Sequence, residues 1–144
     1  MSALTRALVL AAQHHAGQKD KGGNPYILHP LRIMLRASTE EERITALLHD
    51  IVEDTPLTLD DIKREGFDDK IVEAIDCLTR RQGETYDCFI NRIKGNDLAR
   101  RVKILDLEDN CDLSRIPNPT DVDKRRLEKY QKAISELKNH NLIN

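Results

Sequence analysis

The chain has 144 residues, 39% hydrophobic and 33% charged, with a formal net charge of −2. That length suits one domain with a core, and the apolar share excludes a disordered chain. No run of about 18 apolar residues is present to span a membrane, and the near-neutral charge argues against a protein built mainly to hold nucleic acid.

The start, "MSALTRALVLAAQHH", lacks the basic opening and small-residue cleavage site of a signal peptide, so it reads as a helix. Leu4, Leu8, Ala11 and Ala12 line one face of it. A Gly-rich polar loop, "GQKDKGGNPY", follows, and His29-Pro30 opens a short second helix. Thr39 with Glu42 three residues on is a capping box that starts a helix over 40–54. Pro56 marks a turn, and Thr58 caps a helix ending near Gly66. "DDKIVEAIDCLTR" is another amphipathic helix. Thr85 caps one that stops at Gly95, and "NDLARRVKILDLEDN" predicts a long central one. "IPNPT" breaks the chain before a last helix from about Val122 to Leu137. No run alternates like a strand, so the fold class is all-α, one domain over 1–144 with about seven or eight helices. Cys77, Cys88 and Cys111 are odd in number with no CxxC spacing, which fits reduced thiols in a cytoplasmic protein and offers no thiolate metal site.

The stretch "LLHDIVEDT" (47–55) carries the chemistry. At ~100° per residue, Ile44, Leu47, Leu48 and Ile51 form the core stripe of the 40–54 helix. His49, Asp50, Glu53 and Asp54 fall opposite. This is either the wet face of an amphipathic helix or half of a metal site. Three carboxylates with no Lys or Arg among them repel one another unless a cation is near. Imidazole with carboxylate is also a ligand set for Mn, Fe or Zn. Further ligands must come from elsewhere, and "YILHP" offers His29 while "VKILDLEDN" offers Asp106, with Lys103 and Asn110 about a turn to either side.

The order His…His-Asp…Asp, carried by "HAGQKDKGGNPYILHP" (15–30), "ALLHDIVEDT" (46–55) and "VKILDLEDN" (102–110), resembles the HD superfamily of metal-dependent phosphohydrolases. The likeness is to the (p)ppGpp-hydrolase domain of Rel/SpoT proteins and its stand-alone form, the small alarmone hydrolases. The resemblance implies a helical HD domain that binds Mn²⁺ through His29, His49, Asp50 and Asp106. It gives Glu53 and Asp54 the task of orienting and deprotonating the attacking water. It implies hydrolysis of the 3′-pyrophosphate of an alarmone in the stringent response, with pyrophosphate released. Lys19, Lys21 and Lys103 are candidate cations for that substrate, Asn110 matches a substrate-contacting Asn, and Tyr26 matches a residue shaping the pocket. His15 belongs to the motif as a residue fixing local structure, and Tyr130 is a core or base-stacking residue.

Two departures stand out. Asp20 occupies a loop position where Rel-type hydrolases usually carry Arg, and "LDLEDN" replaces the frequent "ADxLHN". They leave the base open between (p)ppGpp and (p)ppApp. Other readings are a general HD nucleotidase or phosphodiesterase, and a non-catalytic metal- or nucleotide-binding helical module. Arg80-Arg81, Arg100-Arg101 and Lys124-Arg125-Arg126 are diluted by nearby acids, so no nucleic-acid partner is expected. The 144 residues carry no recognisable synthetase or regulatory segment. Self-association into a homo-oligomer is compatible with the sequence.

Overall fold

A computed structural model describes residues 1–139. Among these residues the helices are α1 (Ala3–His14), α2 (Leu28–Arg36), α3 (Glu40–Leu48), α4 (Ile51–Asp54), α5 (Leu59–Arg64), α6 (Asp69–Leu78), α7 (Tyr86–Lys94), α8 (Asp97–Asn110) and α9 (Asp121–Asn139), with a 3-10 turn over Leu113–Arg115. No strand forms among them; one isolated bridge between Lys19 and Pro25 pins the loop after α1. No helix among them is long and apolar enough to cross a membrane.

The helices start where side chains satisfy their free amides. Thr39 accepts from the Glu42 amide, Thr58 from Asp61 and Thr85 from Cys88. Thr58 and Asp61 make a full capping box. At Thr39 only half of the expected box forms. The Glu42 carboxylate turns instead to the Ser38 amide (3.0 Å) and to Arg101 of α8 (3.2 Å). Pro30 is the third residue of α2, where its missing N–H still costs nothing.

The core runs through Ile33, Leu47, Leu48, Ile51, Ile62, Ile75, Ile90, Ile93 and Leu107, all fully buried. Such burial contributes about 1.5–3 kcal/mol per large side chain. α8 is the central rod, packed on α2, α3, α6, α7 and α9, while α1 and α2 close over α3. α3 and α4 follow one path, the helix expected over 40–54, broken at His49 and Asp50 (Asp50 φ −107°, ψ 2°). The His49 ring donates through Nδ1 to the Ala46 carbonyl (2.6 Å), an oxygen that an unbroken helix offers to the Asp50 amide. Counted as one, α3 and α4 leave eight helices among the described residues.

The loop 15–27 lies against the 3-10 turn. Gly22 packs so closely on the Arg115 carbonyl that a methyl group would overlap it. Gly95, the C-cap of α7, has φ −77° and ordinary space around it. Gly22→Ala is expected to lower stability by about 1–3 kcal/mol, and Gly95→Ala to raise it by about 0.4–1 kcal/mol. Urea denaturation of the two variants checks the contrast.

Candidate metal centre

Three helices bring four side chains together. His29 comes from the first turn of α2, His49 and Asp50 from the break after α3, and Asp106 from α8. His29, His49 and Asp50 each offer a ligand atom within 4.8 Å of the others. Asp106 completes the ring of contacts: its Oδ1 is 2.8 Å from His29 Nε2 and 3.4 Å from His49 Nε2. Asp50 Oδ2 is 3.0 Å from the same His49 nitrogen. His29, His49 and Asp106 are buried, so His49 stands inside the protein and not on the wet face that its helical angle suggested.

The donor set fits a divalent cation. His49 Nδ1 is committed as a donor to Ala46, which directs Nε2 inward as the free ring nitrogen. That Nε2 is buried and lacks a directional hydrogen bond despite two carboxylates close by. A buried nitrogen facing carboxylate oxygens is the arrangement that a metal completes.

Without a cation, the site balances charge through protons. Burial alone would lower the His49 pKa, but Asp50 and then Asp106 outweigh it and hold it well above the usual imidazole value. Burial likewise opposes ionisation of Asp106, yet Lys103, His49 and His29 keep its pKa well below the carboxylate range. Asp50 behaves in the same way, with burial overcome chiefly by His49 and the pKa down to about 2. Asp54 differs. Burial, then Asp50 and Glu53, push its pKa up to about 6.

Neighbouring side chains hold Asp50 and Asp106 in place. Tyr26 donates its hydroxyl to Asp50 Oδ2, and burial followed by Asp50 raises the phenol pKa, so it stays a donor. Lys103 Nζ donates to Asp106 Oδ2 (2.9 Å) and Asn110 Nδ2 to its Oδ1 (3.2 Å). Lys103, expected to meet substrate, therefore lies on Asp106 and is not part of the cavity wall. His15 contacts the Tyr26 ring (centroids 4.9 Å apart) and bonds Gln18, whose amide donates to the Asp54 carbonyl (2.9 Å). Gln18 was not singled out from the sequence, although its place in "HAGQ" was a signal.

A cavity of about 330 Å³ opens over Asp50, and Lys19, Lys21, Tyr26, His29, Asp54 and Asn110 line it. Arg32, Arg115, Arg126 and Tyr130 share the wall. Lys21 reaches Asp123 of α9 (3.5 Å), which ties the loop to the last helix. Asp20 borders the cavity, and its Oδ1 accepts from the Gly22 and Asn24 amides (2.9 Å each), so it holds the turn. Glu53 lies outside this wall, its carboxylate accepting from the Arg80 amide (2.5 Å).

This helical fold and this cluster of imidazoles and carboxylates define an HD-type domain. A family model described as "HD domain" matches residues 7–86, and the chain belongs to that family. It is 34% identical over 118 residues to the guanosine-3′,5′-bis(diphosphate) 3′-pyrophosphohydrolase of Aquifex aeolicus, covering 76% of this chain and 17% of that protein. It is 31% identical over 130 residues to the protein of the same name from Haemophilus influenzae, covering 82% and 19%. The chain thus spans less than a fifth of the length of these relatives. A solved structure described as a metazoan ortholog of SpoT that hydrolyses ppGpp superposes with a TM-score of 0.78, over 95% of this chain and 85% of that one. At 20% identity that likeness is one of fold.

The raised His49 and His29 pKa values make a signed prediction for metal-free protein. A histidine whose folded pKa exceeds its unfolded value of about 6.5 stabilises fully below that pH and loses its contribution as pH rises through the folded value. Raising EDTA-treated protein from about pH 6.5 to about pH 9 is expected to lower its Tm. The drop shrinks in His49→Ala. A Tm that rises over this interval contradicts the balance of charges described.

Proposed function

We propose that this chain hydrolyses the 3′-pyrophosphate of a purine alarmone, (p)ppGpp or (p)ppApp, with Mn²⁺ held by His29, His49, Asp50 and Asp106. The observation that carries this reading is the convergence of two imidazoles and two carboxylates beside a cavity of about 330 Å³ with a partly basic wall. The names of the relatives above support the choice of substrate. Bound there, Mn²⁺ supplies a lowered pKa for water and neutralises charge on phosphoryl oxygens.

The chain's own groups do the rest. Asp54 stands in the cavity wall one turn from Asp50, where its carboxylate can take a proton from the attacking water. Glu53, its partner in the acidic pair, is anchored on the Arg80 amide outside the wall and acts on Asp54 through its nearby negative charge. The water oxygen bonds to the phosphorus carried on O3′, and the P–O3′ bond breaks. O3′ then gains a proton, leaving a nucleoside 5′-phosphate and pyrophosphate. Lys19 and Lys21 on the loop, with Arg126 opposite, provide cations for the phosphates. Tyr26 and Asn110 both shape the wall and hold the ligands Asp50 and Asp106.

Incubating purified protein and Mn²⁺ with guanine and adenine alarmones, then separating products by anion exchange, tests the proposal. Pyrophosphate and the nucleoside 5′-phosphate are the expected products. Orthophosphate in their place points to a general HD phosphatase, and no turnover overturns the reading. Asp54→Asn is expected to lower kcat by about 10²–10⁴-fold while Mn²⁺ binding persists. Glu53→Gln is expected to lose less, because its carboxylate stands outside the wall.

A further inference from the structure

We propose that Asp109 is a positioning residue for His29. Clamped by Arg32, its carboxylate holds the His29 ring with Nε2 aimed at the metal and makes that nitrogen the stronger of the two imidazole donors. The inference rests on the metal reading above and deepens it, because nothing in that reading assigns a role to Asp109 or Arg32.

The geometry is a pair of matched rungs. His29 and Arg32 stand one turn apart on α2, and Asp106 and Asp109 one turn apart on α8. His29 lies between the two carboxylates, with Nε2 2.8 Å from Asp106 Oδ1 and Nδ1 2.6 Å from Asp109 Oδ2. A carboxylate only accepts, so Nδ1 carries the proton and donates to Asp109. In the neutral ring this leaves the Nε2 lone pair for a cation. Asp109 itself is kept from becoming a ligand. Arg32 grips it with two parallel bonds, Nε to Oδ1 at 2.9 Å and Nη2 to Oδ2 at 3.0 Å. Arg115 adds Nη2 to the Asp109 carbonyl at 2.6 Å and approaches Oδ2 at 3.4 Å. Asp109 is buried, so this held carboxylate keeps its influence on His29 with little screening from solvent.

His49 provides the internal comparison. Its Nδ1 is held by the Ala46 carbonyl, a neutral backbone acceptor, at the same distance of 2.6 Å. Both rings are oriented, but only His29 has an anion behind it. A carboxylate partner fixes the tautomer and raises the basicity of the ligating nitrogen, and its removal costs about 10–100-fold in metal affinity. Asp109 is also one of the residues by which "LDLEDN" departs from the string frequent in the resembling hydrolases, so this support belongs to the present chain.

The test measures Mn²⁺ binding to metal-stripped protein by calorimetry at one fixed pH. Wild type is expected to bind one equivalent. Asp109→Leu weakens binding by about 10–100-fold, and Asp109→Asn, which keeps an acceptor without the charge, by about 10-fold. Because Asp109→Leu leaves two guanidinium groups without their partner, the Arg32→Gln/Asp109→Asn double variant serves as the form with less unpaired charge, and it also binds more weakly than wild type. Glu42→Gln disturbs a buried carboxylate on the α3–α8 contact away from the ligands, and it lowers Tm while the Mn²⁺ affinity stays at the wild-type value. In Zn²⁺-loaded protein, a slowly exchanging His29 Nδ1 proton resonance is expected for wild type and lost in Asp109→Leu. Wild-type affinity in Asp109→Asn and the double variant overturns this inference and leaves the metal site standing. Failure of wild type to bind Mn²⁺ overturns both.

Discussion

The carboxylate of Asp106 is the constraint around which the domain is arranged. It is buried on the central helix, and an isolated buried carboxylate is costly unless it is paired and hydrogen-bonded. Its partners come from three helices: His29 on α2, His49 at the end of α3, and Lys103 and Asn110 on α8 itself. To satisfy it, α2 and the break after α3 must sit at fixed heights along α8. The apolar packing of Ile33, Leu47, Leu48 and Leu107 sets those heights. Core and site thus demand the same arrangement of helices, which is the consistency that gives a sequence one fold.

The same constraint explains the irregular backbone at the site. An unbroken helix over 40–54 would splay His49 and Asp50 about 100° apart around a regular surface. The His49 ring instead competes for the Ala46 carbonyl, and Asp50 turns toward Tyr26 and His49. Local hydrogen bonds from side chain to backbone give up helical regularity so that two neighbouring residues can point into one centre.

Most of the helices were legible from periodicity and capping residues, because apolar stripes and Thr caps act within a few residues of chain. Thr58 and Thr85 start helices by accepting from their first amides, and α7 ends at Gly95. The break at Asp50 was not legible, since periodicity registers where a side chain faces and not whether a ring takes a carbonyl. The convergence of His29, His49, Asp50 and Asp106 is foreshadowed only by the order of the motifs, whereas spacing alone leaves the 40–54 face ambiguous. Lys103 is legible as a charge one turn from Asp106, yet its task, like that of Asp109, depends on which oxygen or nitrogen it meets. Arg32 carried no signal at all, because its partner lies 77 residues further on. Asp20 stands where the resemblance leads one to expect Arg, and in the fold it closes a turn through the Gly22 and Asn24 amides.

The wide separation of partners across the site has a kinetic side. The bond from His29 to Asp109 joins residues 80 apart, and that from Lys21 to Asp123 spans the loop after α1 and the last helix. Closing loops of this size costs chain entropy before any contact repays it, whereas α2 with α3, or α8 with α9, are sequence neighbours that dock cheaply. Contact order alone favours the helical pairs as early structures, with the centre and its cavity assembled after them. A chain still emerging during synthesis holds His29, His49 and Asp50 before Asp106 exists, so the four-residue centre becomes available only once α8 has been made and docked.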